Sequence, residues 1–264
     1  MESSTVESND SIREHFENDE VAIGARATSI SPTLVEVYGD IGLDFVWIDL
    51  EHTGWSPTDA TALEDLTRAA EVAGTDVLVR LPSGDPDLVR KALDAGVRTL
   101  LIPRVETMVE VREAVRASRF THEGEPGERG AAAGRATTWG NRPDDYATSE
   151  DEHVCVGVMI ENATAVENLD DILGVEGLGF TFLGPSDLSI SLGHPFETDH
   201  PEVREAIERA RVGALEASVP LGGIANDATA AREAIDEGYR LLRIGDEVAA
   251  ARSVLGDRVA EIRE

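Results

Sequence analysis

Eight short apolar runs divide the chain, each followed by a longer stretch in which apolar residues recur at helical spacing. The runs are residues 21–27 (VAIGARA), 45–49 (FVWID), 76–82 (DVLVRLP), 99–103 (TLLIP), 154–160 (VCVGVMI), 180–183 (FTFL), 221–225 (LGGIA) and 241–245 (LLRIG). Runs this short and this apolar read as strands buried on both faces, as in a parallel sheet covered by helices. Helix signals fall between them. Ser29-Ile30-Ser31-Pro32 opens one helix, with Leu34, Val35 and Val37 as its apolar spacing, and Ser56-Pro57-Thr58-Asp59 opens a second that continues to Ala73. Asp85-Pro86 caps a third that runs to Ala95 and closes at Gly96. Further helices are expected from about Thr107 to Ala117 and over about 163–172, 201–217, 227–237 and 246–262.

This alternation predicts an α/β fold, a (β/α)8 TIM barrel, forming one catalytic domain over residues 21–264 behind a polar N-terminal extension, residues 1–20. The length of 264 residues is close to the roughly 250 expected of such a barrel. One segment breaks the rhythm. Residues 120–150 are rich in Gly, Thr and charge and exceed a routine connection, and loops of that length are usually functional or disordered.

In a barrel the C-terminal ends of all strands converge on one mouth, however far apart they are in sequence. Asp49, Glu51 and His52 end the second run, Arg80 the third and Glu161 the fifth, and Asp187 follows the sixth. Glu161 and Asp187 together suit a hard divalent cation such as Mg2+ or Mn2+, with Co2+ also admissible. Taken singly, each carboxylate reads equally as a helix cap or a solvated loop charge. The apolar run before Glu161 and Gly184-Pro185 before Asp187 set these two apart. His52 is a candidate acid/base, because imidazole is the side chain that ordinarily changes charge near neutral pH. His15, His122, His153, His194 and His200 lack such a context and read as structural or surface residues. Arg80 has two readings: a surface ion pair, or a group that binds a substrate carboxylate or an enolate oxygen.

Composition narrows the chemistry. With 52 acidic against 23 basic residues the formal net charge is -29, which argues against nucleic acid or an anionic membrane as partner. No 18-residue apolar run suggests a membrane span, and Met1-Glu2-Ser3-Ser4 does not open a secretory signal. The single Cys155 lies in an apolar run and reads as a buried, inert thiol of a cytoplasmic protein. Lys91 is the only lysine. A dispersed acidic surface almost without lysine resembles haloarchaeal proteins, whose self-repulsion is screened by salt. A Schiff-base aldolase needs a lysine at a strand end inside the barrel, and Lys91 lies in the helical stretch Asp87–Asp94. A metal must therefore take the electrophile's part.

From roughly Val21 to Ile244 the chain resembles the HpcH/HpaI family of metal-dependent pyruvate aldolases. The resemblance rests on Asp49-Leu50-Glu51-His52, Val79-Arg80-Leu81-Pro82, Leu93-Asp94-Ala95-Gly96, Arg129-Gly130, Ile160-Glu161 and Gly184-Pro185-Ser186-Asp187-Leu188-Ser189. It implies a class II aldolase that reversibly cleaves a 4-hydroxy-2-oxoacid to pyruvate and an aldehyde. By the same resemblance Glu161 and Asp187 ligate the metal, Arg80 holds the C2 oxygen, and His52 transfers protons, oriented by Asp94. Asp49 supports the site, and the backbone at Gly184, Pro185 and Ser186 receives the pyruvate carboxylate. A homo-oligomer, trimer or hexamer, that exchanges its last barrel helix between neighbours is also implied. One departure is Met159, where several members carry a glutamine that reaches the substrate; a thioether cannot donate that bond. The same scaffold also serves oxaloacetate decarboxylation and acyl-CoA lyases of the citrate lyase β type. Gly222-Gly223-Ile224 and Ile244-Gly245-Asp246 leave open a sugar-phosphate isomerase, although Asp246 and Glu247 would repel a phosphate. A binding barrel without catalysis is the remaining reading.

Overall fold

The computed structural model describes residues 11–29 and 31–264; Ile30 of the expected helix start and the first ten residues of the extension lie outside the described residues. The barrel strands are β1 (Ala22–Ala27), β2 (Phe45–Asp49), β3 (Asp76–Arg80), β4 (Thr99–Ile102), β7 (Cys155–Ile160), β8 (Leu178–Leu183), β9 (Leu221–Ile224) and β10 (Tyr239–Asp246). A two-stranded hairpin, β5 (Thr121–His122) and β6 (Glu125–Pro126), stands apart. The eight barrel strands are parallel and close in the order β1-β10-β9-β8-β7-β4-β3-β2. This is the expected (β/α)8 barrel.

Two apolar populations hold it together, separated by the period-two alternation of the strands. Val46, Ile48, Val77, Val79, Leu100, Ile102, Val156, Val158 and Leu242 point outward into the helix layer. Phe45, Trp47, Leu78, Leu101, Cys155, Met159, Phe180, Phe182 and Leu241 fill the interior. Large and small residues interdigitate there: a Cβ on Gly157 would lie 2.3 Å from the Phe180 ring. Cys155 is buried in this interior, and burial pushes its thiol up to about 12, so it is inert.

The outer helices are α2 (Pro32–Asp40), α3 (Ala60–Ala73), α4 (Pro86–Asp94), α5 (Met108–Ser118), α6 (Tyr146–His153), α7 (Ala163–Glu167), α8 (Leu169–Leu173), α9 (Pro185–Ser191), α10 (Pro201–Glu216) and α11 (Ala228–Asp236). Their starts follow the predicted signals. The Asp85 side chain caps α4 by accepting from the Asp87 amide, and Thr107 and Glu110 form a reciprocal capping box on α5. Gly96 follows α4 at φ +98, a left-handed geometry that favours glycine.

Two features were not expected, and a third bears on the exchanged last helix that the resemblance implies. A helix, α1 (Ile12–Glu17), occupies part of the polar extension and closes the N-terminal end of the barrel. Ile12 is fully buried, and Phe16, four residues later on the same helix face, packs its ring 5.7 Å from Phe180. Residues 120–150, for their part, are ordered by the hairpin, a 3-10 turn and α6. They link α5 to β7 and so lie at the N-terminal end, away from the mouth. The last helix, α12 (Glu247–Arg263), has no buried residue. Val254, Leu255, Val259 and Ile262 are all exposed on it.

Candidate active site

The interior becomes polar where the strands end at the C-terminal mouth. Asp49 is the inward residue that closes β2, and Arg80 stands beside it at the end of β3 in the strand register. The Arg80 Nε donates to Asp49 Oδ1 at 3.0 Å and Nη2 to Oδ2 at 2.5 Å, a two-pronged clamp. Burial alone would raise the Asp49 carboxyl, but the bonds and charge of Arg80 outweigh it and hold the pKa below the usual carboxylate value. Asp49 Oδ1 also accepts from the amides of Glu51 and His52 at 3.1 and 3.3 Å. One buried carboxylate thus fixes both the guanidinium and the loop that carries the next two side chains. Arg80 also packs over the Trp47 ring at 5.5 Å and donates to Met159 Sδ at 3.6 Å.

Glu51 is the second carboxylate of this group. Its Oε2 lies 2.9 Å from Arg80 Nη1 as an ion pair, out of line for a hydrogen bond, and is otherwise without a partner among the described residues. His52 is exposed, with its Nε2 3.4 Å from the same oxygen. Glu161 follows β7 at the next inward position after Met159. Its Oε1 accepts from the Arg104 amide at 2.7 Å. Burial, then the charges of Glu51 and Asp187 against the opposing Arg104 bond, pushes Glu161 up to about 7. Burial likewise raises Glu51. Asp187 stands in the first turn of α9, which the chain enters through Gly184 and Pro185. A Cβ on Gly184 would lie 2.7 Å from Glu161 Cβ and 2.9 Å from its Oε2, so only glycine leaves this carboxylate its space.

Glu51, His52, Glu161 and Asp187 line one cavity, and His52 and Asp187 also line a second that holds Arg26, Trp47, Arg80, Met159, Gly184, Pro185, Ser186 and Arg243. Glu51 and Glu161, both raised by burial, converge with Asp187 around a buried oxygen that has no hydrogen-bond donor, and such a donor set fits a hard cation.

Known proteins share the fold and sequence over nearly the whole chain. Residues 25–253 match the model of the family described as HpcH/HpaI aldolase/citrate lyase. The chain belongs to that family. A 2-keto-3-deoxy-L-rhamnonate aldolase of Salmonella gallinarum is 34% identical over 94% of this chain and 91% of its own. A hydroxypyruvate/pyruvate aldolase of Roseobacter denitrificans is 34% identical over 81% of this chain and 82% of its own. Among solved structures, an HpcH/HpaI aldolase/citrate lyase family protein from Burkholderia cenocepacia superposes with a TM-score of 0.88 at 33% identity, covering 96% of this chain and 99% of that one. This HpcH/HpaI protein is accordingly a carbon–carbon lyase of the aldolase type.

The predicted site residues of the family member do not all meet. Asp49, His52, Arg80, Glu161, Gly184, Pro185, Ser186 and Asp187 surround the mouth cavities or, for Asp49, clamp a residue that does. Asp94 does not. It ends α4, which returns the chain to the N-terminal end of the barrel, and its carbonyl accepts from Ala136. Burial raises its pKa against the opposing charges of Arg129, Lys91 and Arg90, with no contribution from His52. Within one chain, then, Asp94 cannot orient His52. Sequence reasoning passed over Arg26 and Arg243, which reach the mouth from β1 and β10. The signal was there: each is a charged residue two positions beyond an inward glycine or leucine near the end of an apolar run.

His194, in the loop after α9, and His200 and Glu202, at the start of α10, form another grouping, with one ligand atom each within 4.8 Å of the others. The two imidazoles stack at 3.5 Å with 19° between planes, so their ring nitrogens point side by side instead of toward a shared centre. The mouth is the better cation site.

Proposed function

We propose that this chain is a metal-dependent, class II aldolase that reversibly cleaves a 4-hydroxy-2-oxoacid to pyruvate and an aldehyde. The observation that carries the reading is Arg80, clamped by Asp49 in a cavity that shares His52 and Asp187 with the one where Glu51, Glu161 and Asp187 converge. Glu161 and Asp187 would hold the divalent cation, Mg2+, Mn2+ or Co2+. When bound, the cation supplies Lewis acidity at the ketone oxygen.

The side chains do the rest. Arg80 presents its guanidinium to the C2 oxygen, where negative charge grows as the C3–C4 bond breaks. The first-turn amides of α9, at Ser186 and Asp187, have no acceptor within the helix and are placed to receive the pyruvate carboxylate. His52 takes the proton of the C4 hydroxyl as the aldehyde leaves, and a proton returns to C3 of the enolate to give pyruvate. Exposure of His52 leaves its ring free to swing between the two tasks. The two curated relatives, aldolases of 2-keto-3-deoxy-L-rhamnonate and of hydroxypyruvate/pyruvate, support a 2-oxoacid substrate. Partners are small molecules and further copies of the chain. A homo-oligomer is supported by the apolar, unburied α12 and by Asp94, which could approach His52 only from another subunit. No helix among the described residues is long and apolar enough to cross a membrane, and the buried thiol supports a cytoplasmic place.

The test is proton exchange at pyruvate C3, followed by NMR in D2O with molar KCl, with and without Mn2+ or Mg2+. Metal-dependent exchange is expected, falling by about 10²–10³-fold in Glu161→Ala and Arg80→Ala. Intact, metal-loaded protein that exchanges no proton would overturn the pyruvate assignment and favour the acyl-CoA lyase chemistry of the family. Exchange with oxaloacetate consumption and no aldol cleavage would favour decarboxylation.

A further inference from the structure

The turn from β4 into α5, residues 103–106, lies against the segment that follows β7. Three hydrogen bonds tie the two together. The Arg104 amide donates to Glu161 Oε1 at 2.7 Å, Asn162 Nδ2 to the Val105 carbonyl at 3.0 Å, and Asn168 Nδ2 to the Glu106 carbonyl at 2.8 Å. Val105, between them, is buried. The last two bonds dock one loop on another. The first reaches a side chain of the mouth cavity.

Arg104 allows all three at once. Its φ is +57°, in the left-handed region that a residue with a Cβ seldom occupies. The peptide that leaves β4 fixes where the Arg104 N–H points, and the rotation after that N–H decides where the chain goes next. At an ordinary negative φ the N–H could still meet Glu161. Val105 and Glu106 would then turn away from the β7 side, and both asparagine bonds would be lost. Glycine would take up this rotation without steric cost, yet the position holds arginine. Such a residue persists only where its surroundings over-determine it, and such residues cluster where a ligand is held.

The consequence falls on Glu161. One of its oxygens is committed to the Arg104 amide, and the other lies on the side where Gly184 leaves room. A carboxylate free to rotate would have to be ordered on the arrival of a cation, at a cost to affinity. We infer that Arg104 is a positioning residue of the cation site: its left-handed backbone holds Glu161 in one orientation before the metal binds. This rests on the metal-dependent reading above. The guanidinium is not what the role requires. It is exposed, and in a cavity lined by Glu51, Glu106, Glu161 and Asp187 its charge opposes a bound cation.

The experiment is calorimetric titration of the metal-free full chain with Mn2+ in molar KCl, for Arg104→Gly, Arg104→Asn, Arg104→Val and Arg104→Pro. Circular dichroism and the metal-free Tm establish that each variant is folded. Arg104→Gly and Arg104→Asn accept a positive φ and keep the amide, so their Kd should stay within about threefold of the unaltered protein. Arg104→Val keeps the amide but resists the rotation, and its Kd should rise by about tenfold. Arg104→Pro lacks the N–H and fixes φ negative, so it should lose more than the valine variant. Affinity would thus follow backbone preference, although all four variants remove the same charge. A common shift in all four would assign the effect to the guanidinium and overturn the inference, as would a valine variant within about threefold of the unaltered protein. Asn168→Ala decides independently of the proline variant's folding. It frees only the Glu106 carbonyl and should raise the Kd by about threefold; an unchanged Kd would show that the docked turn does not hold Glu161. The two levels separate in the unaltered protein: no Mn2+ binding removes the cation reading itself, whereas binding with a flat series removes only the positioning by Arg104.

Discussion

Both ends of the barrel bury charge, yet they treat it differently. At the N-terminal end charges are tied off. Asp76 receives the Ile12 amide, the Val77 amide and the Thr99 hydroxyl, and Glu150 takes Arg98 at 2.7 Å and Arg129 on its other oxygen. Only Arg129 Nη1 is left over among the described side chains there. At the C-terminal mouth Arg26 Nε, Trp47 Nε1 and Glu51 Oε2 are all buried without a hydrogen-bond partner, and three carboxylates repel one another. Folding would not select that arrangement for its own sake. A closed network marks stability and an open one marks a place kept for something else.

Substitutions at the two ends should therefore separate activity from stability. After the losses in Glu161→Ala and Arg80→Ala, the next largest effect is expected from Gly184→Ala, whose methyl group would intrude on the Glu161 carboxylate. Exchange at pyruvate C3 should fall by about 100-fold with little change in Tm; unchanged exchange would mean that the space beside Glu161 is not used. At the other end, Glu150→Ala strands Arg98 and Arg129 and should lower stability by about 3 kcal/mol in urea unfolding, with the exchange rate per folded molecule preserved.

Glu161→Gln should do the opposite of Glu150→Ala when no metal is present. Its carboxyl is held near 7 in the fold against 4.5 ordinarily, so the unfolded chain ionises first as pH rises. Stability without metal therefore falls between about pH 4.5 and 7 and stays low above. The amide removes that loss, keeps the Arg104 bond, and should raise the metal-free Tm at pH 8 by about 2–4 °C for each kcal/mol recovered. A lower Tm at both ends would break the comparison. The finest effect is in metal affinity, which should rise by up to about tenfold per pH unit until about pH 7 and then level off. A Mn2+ titration series across pH reads it.

Much of this was visible in the sequence because a parallel barrel strand is apolar on both faces until it reaches the mouth. The charged residues at the ends of these runs, Asp49, Arg80 and Glu161, were thus already candidates, and the fold gathers them at the mouth. Arg26 and Arg243, like Arg80, are followed by one more apolar residue, but neither lies in a motif that carries the family resemblance, so only the inward–outward alternation distinguishes them. Asp94 stands away from His52 within one chain for a geometric reason: a helix after a barrel strand runs back, so its last residue is at the far end. The closing helix α1 rests on two apolar residues, Ile12 and Phe16, in a segment otherwise polar and acidic, too few to stand out by periodicity.

Asp246 joins two features that look unrelated. One of its oxygens caps the first turn of α12 and the other holds Arg26 at the mouth, while its neighbour Glu247 grips Thr28 and Ser29 just beyond β1. A displacement of the exposed helix therefore shifts the root on which Arg26 is set. Occupancy of the mouth and the position of α12 are then linked equilibria, and by reciprocity each biases the other by the same factor.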